Sequence, residues 1–257
     1  MSDVSEWWRT SIIDMEPGRI TLRGHPIEEL IGTVSFPQMI WLMLRGTIPT
    51  DAQARLLEAA LVAAVDHGPQ APSIATARMA VTCGLPLNGA MASAINLLDD
   101  VHGGAGEQAV ALYHAVHAKG LDALPETVAA WRAEHGKYVP GFGHRFHTPV
   151  DPRAPRLMAL ARDAAAAGDV TGDFIAVGEG IEAHLADMRG APVPMNIDGA
   201  TAVLFAELGF EAELARGIFV LSRSVGILAH AREQQKQGGR NKGPTPPAYR
   251  WTYDGDP

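Results

Sequence analysis

Residues 35–68 read SFPQMIWLMLRGTIPTDAQARLLEAALVAAVDHG, and their pattern decides the fold class. Apolar residues recur at three- and four-residue spacing on either side of one short break, the signature of helices with one buried face. Ser35 and Thr50 stand where N-caps belong, and Gly46 followed by TIPT is a helix stop. Two helices joined by a tight turn are therefore expected here.

The same periodicity extends in both directions. PIEELIG (26–32) precedes it, and SIATARMAVTCG (73–84), LNGAMASAINLLDDVHGG (87–104), EQAVALYHAVHAKG (107–120) and LPETVAAWRAEHG (124–136) follow. Beyond an irregular stretch come PRLMALARDAAAAG (155–168), DFIAVGEGIEAHLADMRG (173–190), GATAVLFAELGF (199–210) and ARGIFVLSRSVGILAHAREQQKQ (215–237). The alanine and glycine in several of these runs let helices approach closely. Strand-type alternation is confined to a possible ribbon at GRITLRG (18–24). The expected class is all-α, compact, with minimal β structure.

Composition narrows the function. The chain has 257 residues, 47% of them hydrophobic, which is ample for a large core. Its net charge of -8 and pI of about 5.6 argue against a nucleic-acid binder held by a general basic surface. Cys83 is the single cysteine, so neither an internal disulfide nor a cysteine-rich zinc site is possible. The N-terminal residues form neither a signal peptide nor a membrane anchor, and a cytoplasmic protein is expected. The tail 238–257, GGRNKGPTPPAYRWTYDGDP, is too rich in proline for a helix, and its aromatics suit docking.

The irregular stretch is Tyr138–Arg153, YVPGFGHRFHTPVDPR, which packs imidazoles and guanidiniums into a loop. Three histidines stand apart from the rest. His67 closes a helix beside Asp66, His102 precedes Gly103 and Gly104, where backbone can admit a ligand closely, and His144 sits in the opened loop. Of the remainder, His147 belongs to that same loop, while His25, His114, His117, His135, His184 and His230 read as surface or core-edge residues. His114 and His117 lack the second pair a metal clip needs, so no metal site is expected. Asp198 precedes an apolar helix of small residues. It is either a simple N-cap or a carboxylate whose pKa is raised beside an apolar pocket, suited to carbon-acid chemistry.

In order along the chain, these stretches resemble the citrate synthase superfamily. ITLRGHPIEELIGTVSFPQMIWLMLRGTIPT, VDHGPQAPSIATARMAVTCG, VHGGAGEQAV, VPGFGHRFHTPVDPRAP, MNIDGATAVLFAELGF and LSRSVGILAHAREQ each match a family segment. The resemblance implies that His102, His144 and Asp198 form a catalytic trio. It implies that His67 seats an oxo acid and that Arg153 and Arg223 grip carboxylates. Forming or breaking a bond α to a thioester carbonyl passes through an enol. That step needs a carboxylate for the α-proton, a donor on the thioester oxygen and an acid/base at the carbinol oxygen, with no metal. Asp198, His102 and His144 would fill those roles, His144 taking the carbinol proton in cleavage. Coenzyme A would enter as a thioester substrate, with no tightly bound cofactor. Candidates to hold its phosphates are Arg145, Arg232, Lys236, Arg240, Lys242 and Arg250, where the run from Arg232 to Lys242 reads equally as a solvated helix end and loop.

The chain also departs from the family. TIPTDAQARLLEAALVAAVDHG bridges two segments that full-length citrate synthases separate by a long helical stretch. This short form resembles the citryl-CoA lyases. Setting Tyr253-Asp254-Gly255 on the family's terminal segment places Arg250 on its second arginine but Ala248 on its first. Gly68 replaces an acid, and Phe146-His147 replaces a Val-Tyr pair. The resemblance implies one citrate-synthase-like domain over 1–257, a small-domain-like helical part at roughly 138–225, and a docking tail at 238–257. It implies a homodimer or higher homo-oligomer without nucleic-acid or membrane partners. Two activities follow from it: retro-Claisen cleavage of citryl-CoA or citramalyl-CoA, or a citrate or methylcitrate type of condensation. The rival from another class is non-catalytic CoA-ester binding, against which the joint presence of His102, His144 and Asp198 counts.

Overall fold

A computed structural model describes residues 4–144, 146–147, 149–241, 245–246 and 248–256. Helix α1 (Val4–Trp7) leads into an antiparallel ribbon of β1 (Ile13–Glu16), β2 (Arg19–Leu22) and β3 (His25–Pro26), in register Ile13 to Leu22 and Leu22 to His25. The expected ribbon is present, in the middle of this small sheet. Helices follow without further strands among the described residues: α2 (Ile27–Leu30), α3 (Phe36–Arg45), α4 (Asp51–Ala64), α5 (Pro72–Thr82) and α6 (Leu87–Ile95). Next come α7 (Ala105–Lys119), a 3-10 turn at Leu121–Ala123, α8 (Leu124–His135), α9 (Arg153–Ala167), α10 (Asp173–Arg189), α11 (Ile197–Glu207) and α12 (Ala212–Gln237). The all-α class is what the chain adopts.

Helices α3 and α4 start as their sequence dictates. Ser35 with Gln38, and Thr50 with Gln53, form reciprocal capping boxes, each cap contributing about 1 kcal/mol. Gly46 ends α3 in the left-handed region, where glycine escapes the Cβ penalty. Arg45 then ties this N-terminal pair to the far end of α11. It donates to the carbonyls of Leu208 and Gly209 while its guanidinium lies over Trp41 and Phe210.

The larger core surrounds α11, whose residues from Gly199 to Ala206 are all buried. Helices α7 and α9 pack directly against it. A smaller core joins α5 and α6 to the C-terminal half of α12. Helix α12 has the length and apolar content of a membrane span, yet it links both cores, burying Ala215 and Ile218 in one and Ile227 and Ala231 in the other.

One expected helix is shorter than its pattern. The run 87–104 stops at Ile95, and residues 96–104 turn back on themselves. The Asp100 N–H bonds the Asp99 carboxylate, and the Asp99 N–H bonds the His102 carbonyl at 2.9 Å. Asparagine and aspartate offer such local bonds in competition with the helix. The turn they close carries His102 to the junction of the two cores.

Candidate active site

A cavity of about 190 Å³ opens between α4, the 96–104 turn, α11 and α12. His67, His102, His144, Arg153, Asp198 and Arg223 all line it. Its apolar side is formed by Val101, Ala105, Phe205, Ala215 and Phe219. A larger groove of about 340 Å³ runs between Leu22 and Met39, but no ionisable side chain lines it. Chemistry therefore points to the smaller one.

The PGFGH loop and the start of α11 are built as one piece. Phe142 and Met195 form an antiparallel bridge. The Asn196 N–H donates to the Gly141 carbonyl, the Gly143 N–H to the Pro194 carbonyl, and the Asn196 amide to the Gly143 carbonyl. This requires glycine: a Cβ on Gly141, at φ +90°, would stand 2.7 Å from Gly199 Cα. His144 and Asp198 are thus set on a shared backbone frame.

Asp198 is not the cap of α11. Asn196 is, its side-chain oxygen accepting from the Asp198 and Gly199 N–H groups at 2.9 and 3.2 Å. The Asp198 carboxylate is left to the cavity. Burial pushes its pKa up, the nearby Arg153 and Arg223 guanidiniums pull against that, and the Asp151 charge adds to the rise. Tyr113, wholly buried beneath α11, donates to the Gly199 carbonyl, and burial raises its phenol pKa well above the ordinary value.

The histidine tautomers follow from their hydrogen bonds. His102 Nε2 accepts the Ser73 N–H at 3.2 Å and lies 2.9 Å from Ser73 Oγ. The neutral ring therefore carries its proton on Nδ1. Burial, then the Arg223 charge, lowers its pKa and keeps the ring neutral. His144 Nδ1 accepts the N–H groups of Phe146 and His147, both at 3.0 Å, so its proton resides on Nε2. His67 stands at the rim with its ring 5.7 Å from that of His144. Burial, followed by Arg223, Arg153, His144 and His147, lowers the pKa of His67.

Two guanidiniums complete the cavity. Arg223 is 5% exposed, donates from Nε to the Ala64 carbonyl, and lies over Phe219. Its terminal nitrogens make no hydrogen bond among the described residues, which leaves a fork suited to a carboxylate. Arg153 is gripped by Asp151, from Nε at 2.9 Å and from Nη2 at 2.8 Å. Asp151 also accepts the backbone N–H groups of Arg153 and Ile197. Burial alone would raise its pKa, but these partners hold it down at about 2.

Asp151, Asn196, Ser73 and Arg216 are supporting residues that the sequence reading did not single out. Asp151 had a local sign, since Asp-Pro-Arg puts a carboxylate two residues before a guanidinium at a helix start. Ser73 had none, because its partner lies 29 residues away. Gly104 serves a purpose other than admitting a ligand. A Cβ there would stand 2.7 Å from Asp100 Cα, so it closes the turn, while Gly103 lines the cavity.

Of the expected coenzyme-binding cations that are described, Arg232, Lys236, Arg240 and Arg250 do not line this cavity. Arg232 and Lys236 are exposed on the last turns of α12, and Arg240 and Arg250 are exposed beyond it. Arg145 and Lys242 lie outside the described residues. The tail bonds back to α5 through the Asn241 N–H and the Thr82 carbonyl, and its Tyr249, Trp251 and Tyr253 are exposed.

A buried carboxylate, two neutral histidines of set tautomer and two guanidiniums at the heart of an all-helical core define a citrate-synthase-like protein. The family model "Citrate synthase, C-terminal domain" matches residues 49–245, and the chain belongs to that family. The citryl-CoA lyase of Hydrogenobacter thermophilus superposes with a TM-score of 0.86 at 30% identity, over 97% of this chain and 95% of that one. The citrate synthase of Haloferax volcanii is 32% identical over 75% of this chain and 49% of its own length. The ATP citrate lyase of Methanothrix soehngenii, solved with citrate and coenzyme A, shares the fold at a TM-score of 0.83 and 19% identity, over 100% of this chain and 45% of that one. The chain spans about half the length of the curated citrate synthases it matches. It matches nearly the whole of the Hydrogenobacter lyase, as its short form suggests.

Proposed function

We propose that this protein cleaves the carbon–carbon bond of a hydroxyacyl-CoA thioester, citryl-CoA or a close relative such as citramalyl-CoA, by retro-Claisen chemistry. The observation that carries the reading is the convergence of His102, His144, Asp198, Arg153 and Arg223 on one cavity. In cleavage, the carbinol O–H is deprotonated and the bond to the thioester α-carbon breaks. The carbinol becomes a ketone, and the bonding pair passes into the thioester as an enolate. His102, neutral and protonated on Nδ1, donates to the thioester oxygen. Asp198, with its raised pKa, returns a proton to the α-carbon and releases acetyl-CoA. The Arg223 fork and the remaining face of Arg153 hold the carboxylates of the oxo-acid half.

The tautomer of His144 modifies the role expected from sequence. With Nδ1 occupied by two backbone donors, His144 offers a proton to the carbinol oxygen and does not accept one. In cleavage the carbinol proton therefore goes to a second base, and His67, neutral and beside His144, supplies it. Run in reverse, the same arrangement delivers a proton to a ketone oxygen. The same site therefore serves acyl-CoA condensation with an oxo acid, which is the second reading.

Coenzyme A phosphates fall to Arg232 and Lys236, about 14 and 20 Å beyond Arg223 along the same helix. The protein acts as a cytoplasmic homodimer or higher homo-oligomer. Leu221, Val225 and Leu228 support the assembly, because they form an exposed apolar stripe on α12. The test is oxaloacetate release from citryl-CoA, read by NADH oxidation with malate dehydrogenase. Turnover supports cleavage of citryl-CoA. Folded protein without turnover rejects that substrate and moves the assay to citramalyl-CoA and to oxo acids with acetyl-CoA.

A further inference from the structure

The turn that presents His102 is held from outside the cavity chiefly by the bonds of Arg216. Arg216, one turn into α12, donates from Nη1 to Asp99 at 2.7 Å, from Nη2 to Asp100 and from Nε to Glu107. Asp99 and Asp100 belong to the turn itself, and Glu107 lies in the first turn of α7. Gln108 adds a bond to the Asp100 carbonyl at 3.1 Å. On either side of Arg216 along α12, Ala215 and Phe219 line the cavity, and Arg223 follows two turns on.

We infer that Arg216 is a positioning residue, which clamps the His102 turn to the helix bearing Arg223 and so sets where the His102 ring stands. The contacts suit placement more than stability. The Asp99 and Asp100 side chains are 79% and 75% exposed, and exposed ion pairs add little to folding. Their geometry is specific, however, because one planar fork engages three carboxylates on both ends of the turn. Without the guanidinium, three negative charges converge with no counter-charge, and the turn opens. His102 then loses its registration with the Ser73 N–H, which is the bond that sets its tautomer.

The inference rests on the donor role proposed for His102, so its test has one arm that needs no substrate. Ring-nitrogen NMR on histidine-labelled protein, with the His102 signal assigned through His102→Asn, shows one Nδ1–H tautomer in the parent. In Arg216→Gln the same signal becomes a mixture of tautomers, while the melting temperature stays within a few degrees. In the activity arm, kcat falls by up to about a hundredfold, the cost of a misplacement of about 1 Å, with KM within about twofold. Arg216→Lys, which restores charge without the fork, recovers part of the rate. Should Arg216→Gln fail to fold, Asp99→Asn/Asp100→Asn, which keeps the Glu107 bond, carries the same expectations. Unchanged ring signals together with unchanged kcat in a folded variant would overturn the inference. A parent enzyme inactive on every substrate would instead reject the proposed reaction and leave the NMR arm to decide.

Discussion

Asp151→Asn tests the frame on which the site is built. The carboxylate is fully buried and holds the Arg153 side chain, the Arg153 N–H and the Ile197 N–H. Its pKa falls from 3.8 to about 2, a difference that corresponds to about 2 kcal/mol of stability at neutral pH. The sign follows from linkage. A depressed carboxylate pKa stabilises the fold above the unfolded value, and that contribution disappears as pH drops from 3.8 towards 2. Asparagine keeps one acceptor but turns an NH₂ group towards Arg153 Nη2 and the Ile197 N–H. The orphaned donors cost a further 1–3 kcal/mol or so, independent of pH. The variant is therefore expected to lose about 3–5 kcal/mol at pH 7, the usual cost of breaking a buried pair from one side. Denaturant titrations of both proteins between pH 7 and pH 3 measure it. The gap should stay constant to about pH 5 and narrow below that. A loss under about 1 kcal/mol at pH 7, or a gap that ignores pH, would refute the reasoning.

Three further expectations probe the site itself. Asp198→Asn abolishes turnover but leaves CoA-ester binding intact by calorimetry. Because the raised pKa makes the ionised form costly, this variant also gains stability over the parent as pH rises above the unfolded carboxylate range, and a variant less stable at every pH would contradict this. Gly199→Ala forces its methyl into the Gly141 backbone, so it should cost about 1–3 kcal/mol and most of the activity; a fully active, equally stable variant would show that the close approach is dispensable. Since burial lowers the pKa of both His67 and His102, the acid limb of kcat should lie below about pH 6.5, and a limb at or above that value would mean that neither ring is held neutral.

Much of the fold could be read from local pattern. Capping residues, the Gly46 stop and the three- and four-residue periodicity act within a few positions of one another, and the helices begin and end close to where these signals stand. The break inside 87–104 was harder to see. Its residues keep an apolar rhythm up to Leu98, and only the side-chain bond of Asp99 to the neighbouring N–H, with the Gly104 contact to Asp100, ends the helix early. Asp198 was ambiguous for a related reason. A carboxylate at a helix start reads as a cap until the neighbouring Asn196 is seen to do the capping.

The chemistry-bearing residues could be singled out by type, while the bonds that tune them could not. His102, Ser73 and Arg216 share no local pattern. Ser73 bonds a ring 29 residues on, Asp151 bonds the start of α11 46 residues on, and Arg216 reaches Asp99 across 117 residues. Each such bond decides something no residue type specifies: which nitrogen of a histidine holds the proton, which face of a guanidinium stays open, which carboxylate remains uncapped. His144 shows the consequence. The resemblance implies an acid/base at the carbinol oxygen, and the Phe146 and His147 N–H groups turned onto Nδ1 leave its proton on Nε2, the basis of the donor role proposed for it. A proton taken from a carbinol must then find another acceptor. The ring of His67, 5.7 Å away and held neutral by burial, is the acceptor proposed for it. In the proposed mechanism the pair acts as one unit, with the loop histidine bonding the oxygen and the helix-end histidine removing its proton. Changing either alone should therefore cost nearly as much rate as changing both.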